Sequence, residues 1–153
     1  MKLIENIHKN QYLLIIKYTI MEKVVHQSKY LTINHDDLNK IFINYWLSST
    51  ANMTNEEFKK EIGIIIELAE QFSIRGILVN SIDYMYPITP EIQDWYNEFT
   101  TSTLIKIGVS KMVIIVSTDF LSRLSVEQMF DDQKGITIAY YSDIKNAMTW
   151  LSN

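Results

Sequence analysis

With 153 residues, 47% of them hydrophobic, the chain can bury one well-developed core and is too short for two ordinary domains. Its formal net charge of -4, with Lys and Arg scattered along the chain, excludes the basic footprint that a nucleic-acid module needs. No cysteine is present, which excludes disulfides, thiolate nucleophiles and Cys-ligated metal. The histidines, His8, His26 and His35, lack a ligand spacing such as one helical turn, so neither a metal nor a cofactor is expected.

Residues 1–20 read as an extension of uncertain structure. Leu13, Ile16, Ile20 and Val24 follow helical spacing, while Leu13 to Tyr18 fits a buried strand equally well, and the helix is the preferred reading. The apolar run from Tyr12 to Ile16 is too short for a signal-peptide core or a bilayer span, so a cytoplasmic protein without membrane insertion is expected. Everything after Met21 reads as one α/β domain over 21–153, with Met21 itself a candidate natural start.

Val24 to Ser28 and Tyr30 to Asn34 are strand-like, Asp36 to Asn39 supply water-exposed turn residues, and Ile41 to Trp46 is a β-branched and aromatic run. A helix then begins at Asn55. Thr54 and Glu57 have the spacing of a capping box, Met53 and Phe58 that of a hydrophobic staple. Phe58, Ile62, Ile65, Leu68, Ala69 and Phe72 recur on one stripe, which predicts a buried face ending near Ser73.

Ile77 to Val79 predicts a covered strand, and Thr89-Pro90-Glu91 a second helix with a capping threonine and proline at its first position. Ile92, Trp95, Tyr96 and Phe99 are the expected apolar face of that helix. Lys111 to Val116 is the clearest buried strand. Ser125 and Gln128 repeat the capping spacing and predict a short helix over 126–133, stopped by Lys134-Gly135. Ile136 to Tyr140 is the last strand, and Ser142-Asp143 open a final helix carrying Ile144, Ala147, Met148 and Leu151 on one stripe.

The expected fold is α/β: one mixed sheet, an N-terminal antiparallel hairpin joined to parallel strands by helical crossovers, packed by about four helices. In order and spacing, Tyr45-Trp46, Met53-Thr54 with Glu56-Glu57-Phe58, Ile77-Leu78-Val79, Ile88 to Trp95, the Lys111 strand, Leu124 to Gln128 and Trp150-Leu151 resemble the SpoIIAA-like family of the STAS superfamily. That resemblance covers Met21 to Leu151 and implies a bacterial, non-catalytic regulatory or protein-interaction domain. It also implies Thr89 as the position of a phosphorylatable residue, although the Asp-Ser-Ser-Gly pattern is absent here and Pro90 and Glu91 disfavour a phosphate.

No catalytic motif emerges. The four glycines never cluster into a phosphate loop, and no serine sits in a nucleophile elbow. The best candidate for a ligand or partner site is the loop at a strand's C-terminal end, where open α/β sheets place their ligands: Asn80, Ser81, Asp83, Tyr84 and Tyr86, with Thr89 and Trp95 beyond. A protein partner is the leading expectation and a small apolar or lipid-like ligand the alternative. A homodimer is compatible with the aromatic content, and an enzyme is the least favoured reading.

Overall fold

The computed structural model describes residues 1–2, 4–11, 22–124, 130–133 and 135–153. Residues 4–11 are helical and exposed, whereas Leu13, Ile16 and Ile20, on whose spacing the helix preference rested, lie outside the described residues. Val24, which fits both the helical spacing and the strand read over Val24 to Ser28, belongs to the first strand.

Among the described residues seven strands form one sheet: β1 (Glu22–Gln27), β2 (Leu31–Asp36), β3 (Ile41–Trp46), β4 (Gly76–Asn80), β5 (Lys111–Ile115), β6 (Phe130–Gln133) and β7 (Ile136–Tyr141), in the order β1-β2-β3-β4-β5-β7-β6. β1, β2 and β3 form an antiparallel meander. β3, β4, β5 and β7 run parallel, and β6 closes the far edge antiparallel to β7. The helices are α1 (Asn55–Gln71), α2 (Pro90–Trp95), α3 (Ser102–Ile107), α4 (Thr118–Ser122) and α5 (Ile144–Ser152); a π-helical segment, Tyr96–Thr101, joins α2 to α3. No described helix is long and apolar enough to cross a membrane.

Local grammar explains most element starts. The Thr54 side chain accepts from Glu57 N at 3.1 Å, and the Glu57 carboxylate accepts from Thr54 N at 2.9 Å, so the capping box forms as the sequence requires. Thr89 caps α2 and Asp143 caps α5. Gly108, at φ 105°, ends α3 in the left-handed conformation that favours glycine.

Alternation along the strands divides the core. One sheet face carries Leu31, Ile33, Phe42, Trp46, Ile77, Met112 and Ile136 beneath α1 and the helix spanning 90–107. The other carries Ile41, Ile43, Leu78, Val113, Ile115 and Ala139, covered by Ala147 and Leu151 of α5. α1 buries Phe58, Ile62, Ile65, Ile66 and Ala69, each large side chain contributing roughly 1.5–3 kcal/mol. Two polar ties bind α1 to the meander: Tyr30 Oη donates to Glu57 at 2.9 Å, and His26 Nε2 lies 2.9 Å from the buried Glu61 carboxylate.

The fold departs from the expected elements at several places. The helix expected over 126–133 is replaced at Phe130–Gln133 by a strand, while 125–129 lie outside the described residues. Pairing with β7 outweighs the local capping pattern, and Gly135, at φ 110°, serves a tight hairpin turn rather than a helix stop. α4 was not anticipated; Ser117 caps it by accepting from Phe120 N at 3.1 Å. Asp36, expected in water, ends β2 with 5% exposure because its carboxylate accepts from Asn39 N and Nδ2 across the turn. Asp37 and Leu38 are the exposed residues of the turn, Asp37 paired with Lys40 at 2.8 Å.

His35, 6% exposed, packs against the rings of Phe42 and Phe72, with no hydrogen-bond partner for Nε2 among the described residues. Burial pushes its pKa below the ordinary value, against the opposing pull of Asp37. The unfolded chain therefore takes up this proton first as pH falls, and the neutral folded form loses stability below about pH 6.5. Urea unfolding between pH 7.5 and 5 is expected to show this decline in the native chain and a shallower one in His35→Phe. Equal slopes would refute it.

Candidate functional site

On the α1 face the sheet and its helical roof do not meet everywhere. Between them lies a cavity of about 320 Å³. Its floor is Asn44 and Trp46 of β3, Ile77 and Val79 of β4, Met112 and Ile114 of β5, and Ile136, Ile138 and Tyr140 of β7. These are alternate residues on each strand, as a period of two demands for a single face. Phe58, Ile62 and Ile65 of α1 form one wall. Ser81, Tyr84 and Ile88 from the loop after β4 close one end, and the exposed Ile88, Gln93 and Asn97 mark the mouth.

The second wall depends on the π-helical segment. Ile92, Tyr96, Thr100 and Leu104 all line the cavity, as do Gln93, Asn97 and Thr101. In a regular α-helix a row at every fourth residue turns about 40° per step and leaves the face within three steps. The segment Tyr96–Thr101 has more residues per turn, cancels that drift and keeps both rows on the cavity. It also corrects the expected apolar face: Phe99 is 47% exposed, stacked on half-buried Trp95 at 5.4 Å, because the π turn carries it away from the sheet. Ser102 Oγ and Thr103 Oγ1 donate back to the Glu98 and Phe99 carbonyls, each at 2.6 Å.

Thr100 behaves differently from these neighbours. It is 2% exposed and its hydroxyl has no hydrogen-bond partner. Across the cavity floor, Asn44 is 1% exposed and its Oδ1 also lacks a partner. A buried polar atom left unpaired costs roughly 1–3 kcal/mol, so these two residues of the lining carry a local energetic deficit. The surroundings disfavour charge: burial, aided by neighbouring phenols, raises the Tyr84 pKa, and burial pushes Tyr96 up to about 12.

Of the residues singled out in the sequence, the structure brings Ser81 and Tyr84 to the cavity and leaves the rest around it. Ser81 Oγ donates to the Ile115 carbonyl at 2.7 Å, which fastens the loop to β5. Tyr84 packs edge-on to Trp46 at 5.5 Å. Asn80 Oδ1 accepts from Ile82 N at 3.2 Å as a turn former, and Asp83 is exposed. Tyr86 is buried against Phe58 at 4.9 Å and donates to Asn55 Oδ1. Thr89 is exposed, its Oγ1 accepting from Ile92 N at 3.4 Å. Trp95 sits beneath the Lys59 ammonium at 5.2 Å. Among the described residues no group of three His, Cys, Asp or Glu could hold a metal.

Sequence reasoning missed Asn44 and Thr100. The available signal for Asn44 was a strand-disfavoured amide in the middle of the Ile41 to Trp46 run. Thr100 carried no comparable signal, because a π turn has no spacing signature.

Replacing Thr100 by valine removes an unpartnered hydroxyl at nearly constant volume and helix propensity. Thr100→Val is expected to stabilise the ligand-free protein by about 1 kcal/mol, a rise in Tm of roughly 2–4 °C in calorimetry. A lower Tm would mean that the hydroxyl is satisfied in solution.

Compared with known proteins, the chain matches no family model, no curated protein and no solved structure.

Proposed function

We propose that this protein binds a small, mainly apolar molecule in the cavity between the sheet and the helix spanning 90–107. The observation that carries this reading is the cavity itself: about 320 Å³, mainly apolar on the strand floor, where Asn44 and Tyr140 are the polar residues, apolar on the α1 wall, and open at Ile88, Gln93 and Asn97. Ligand sites are typically concave, apolar and furnished with a few polar groups, and this volume lies at the lower end of their usual range. It suits a molecule of roughly ten to fifteen non-hydrogen atoms at about 20–30 Å³ each. The π turn supports the same reading, since such turns recur where a helix is shaped around a ligand.

A regulatory, STAS-like interaction module in the cytoplasm is the second reading. It rests on the residue resemblance and on the exposed apolar side chains Ile82, Met85 and Ile88 in the loop at the cavity's end. The two readings are compatible, because a ligand seated against Tyr84 would bear on the same loop that displays these side chains to a partner.

Ile114 is half-buried on β5 and lines the cavity, so a larger side chain there occupies ligand space instead of disrupting a filled core. Titration with naphthalene or decanol, followed by calorimetry and Trp46 fluorescence, is expected to show saturable binding and a raised Tm in the native chain. Ile114→Trp should fold and lose that binding. Failure of both probes to bind, or equal binding by the variant, would overturn the proposal.

A further inference from the structure

Two uncovered apolar surfaces of this chain lie in segments of opposite charge. One is the loop at the cavity's end, where Ile82, Met85 and Ile88 are exposed. The stretch that contains it, residues 76–105, carries four carboxylates, Asp83, Glu91, Asp94 and Glu98, and no lysine, arginine or histidine. All four are exposed, and none is ion-paired among the described residues. Lys59, whose ammonium lies over Trp95 at 5.2 Å, is a cation that α1 brings to the edge of this surface.

The other surface is the N-terminal helix. Residues 4–11 are all exposed, and Ile4 and Ile7, one turn apart, share a side that the domain leaves in water. Lys2 and Lys9, seven residues apart, share another side. The charge is reversed here, since residues 1–21 carry three lysines against one glutamate.

We propose that the N-terminal helix of one copy docks on the loop of a second copy, Ile4 and Ile7 meeting Ile82, Met85 and Ile88. A helix this short is marginal in water and depends on packing of its apolar side. Within one copy neither surface covers the other. A second copy covers both, and two-fold symmetry makes the exchange reciprocal, so that every contact is made twice. Charge works in the same direction. Glu91, Asp94 and Glu98 recur at three- and four-residue spacing on the outward side of the helix that follows the loop, where the lysines of an incoming helix would find them. The proposal rests on the second reading above in taking the loop as a docking surface, and it needs no ligand in the cavity.

Sedimentation of the full chain is expected to show a monomer–dimer equilibrium whose dissociation constant rises with salt. Ile4→Asp combined with Ile7→Asp, or Met85→Asp alone, is expected to raise that constant about tenfold or more, whereas Ile144→Asp, on α5 at the other sheet face, should leave it unchanged. These positions are exposed, so the variants should keep the native Tm to within a few degrees. The chain has no cysteine, so a mixture of Ile7→Cys and Met85→Cys chains is expected to give an interchain disulfide under mild oxidation. A monomer at every concentration, or a dimer indifferent to Ile4, Ile7 and Met85, would overturn the proposal. A disulfide formed only within the Ile7→Cys/Met85→Cys double variant would keep the loop as a docking surface and overturn the second copy. No disulfide of either kind would bring down the docking surface as well.

Discussion

Four parallel strands, β3, β4, β5 and β7, impose the governing constraint on this molecule, because a parallel sheet must be covered on both faces. On one face α5 meets the sheet closely. A Cβ at Gly76 would lie 3.2 Å from Leu151 Cδ2, and Ala147 and Ala139 are fully buried beside it. Small residues there let helix and strands approach closely.

The other face is covered differently. α1 is seated by its capping box, by the buried stripe from Phe58 to Ala69 and by the ties from Tyr30 and His26, so its position is overdetermined. The helix spanning 90–107 has fewer large inward side chains: the row is Ile92, Tyr96, Thr100 and Leu104, with a polar residue where a bulky apolar one would fill the space. The π turn holds that row against the sheet and maintains a cavity that a regular helix with a leucine at 100 would close. Asn44 Oδ1 and Thr100 Oγ1 are buried without a hydrogen-bond partner among the described residues, as are Asn34 Oδ1 and His35 Nε2 on β2.

Much of the fold was legible in the chain. Thr54 with Glu57, Thr89 with Pro90, and Asp143 announced three helix starts through interactions made within a few residues. Ile77 to Val79 and Lys111 to Val116 announced central strands through β-branched runs. What misled was equally specific. Ser125 and Gln128 imitate a capping box, yet Phe130–Gln133 pairs with β7, a partner that no local rule weighs. The face of the helix after Pro90 was read as Ile92, Trp95, Tyr96 and Phe99 on a period of 3.6, and the π turn moved Phe99 to the surface. The loop from Asn80 to Tyr86 was correctly placed at the end of a strand, but only Ser81 and Tyr84 from it reach the cavity.

By itself the sequence determined the class of fold, the helix caps, the strands of the parallel core and the want of a cysteine- or glycine-based catalytic motif, since each of these is encoded in neighbouring residues and their period. Only the tertiary structure decided that a cavity exists, that Asn44 and Thr100 come to its lining from opposite sides, and that Asn44 Oδ1 and Thr100 Oγ1 lack partners among the described residues. The reason is physical. A cavity is space that packing leaves between elements distant in the chain, and an unsatisfied polar atom is defined by every neighbour it fails to meet, so neither has a local signature.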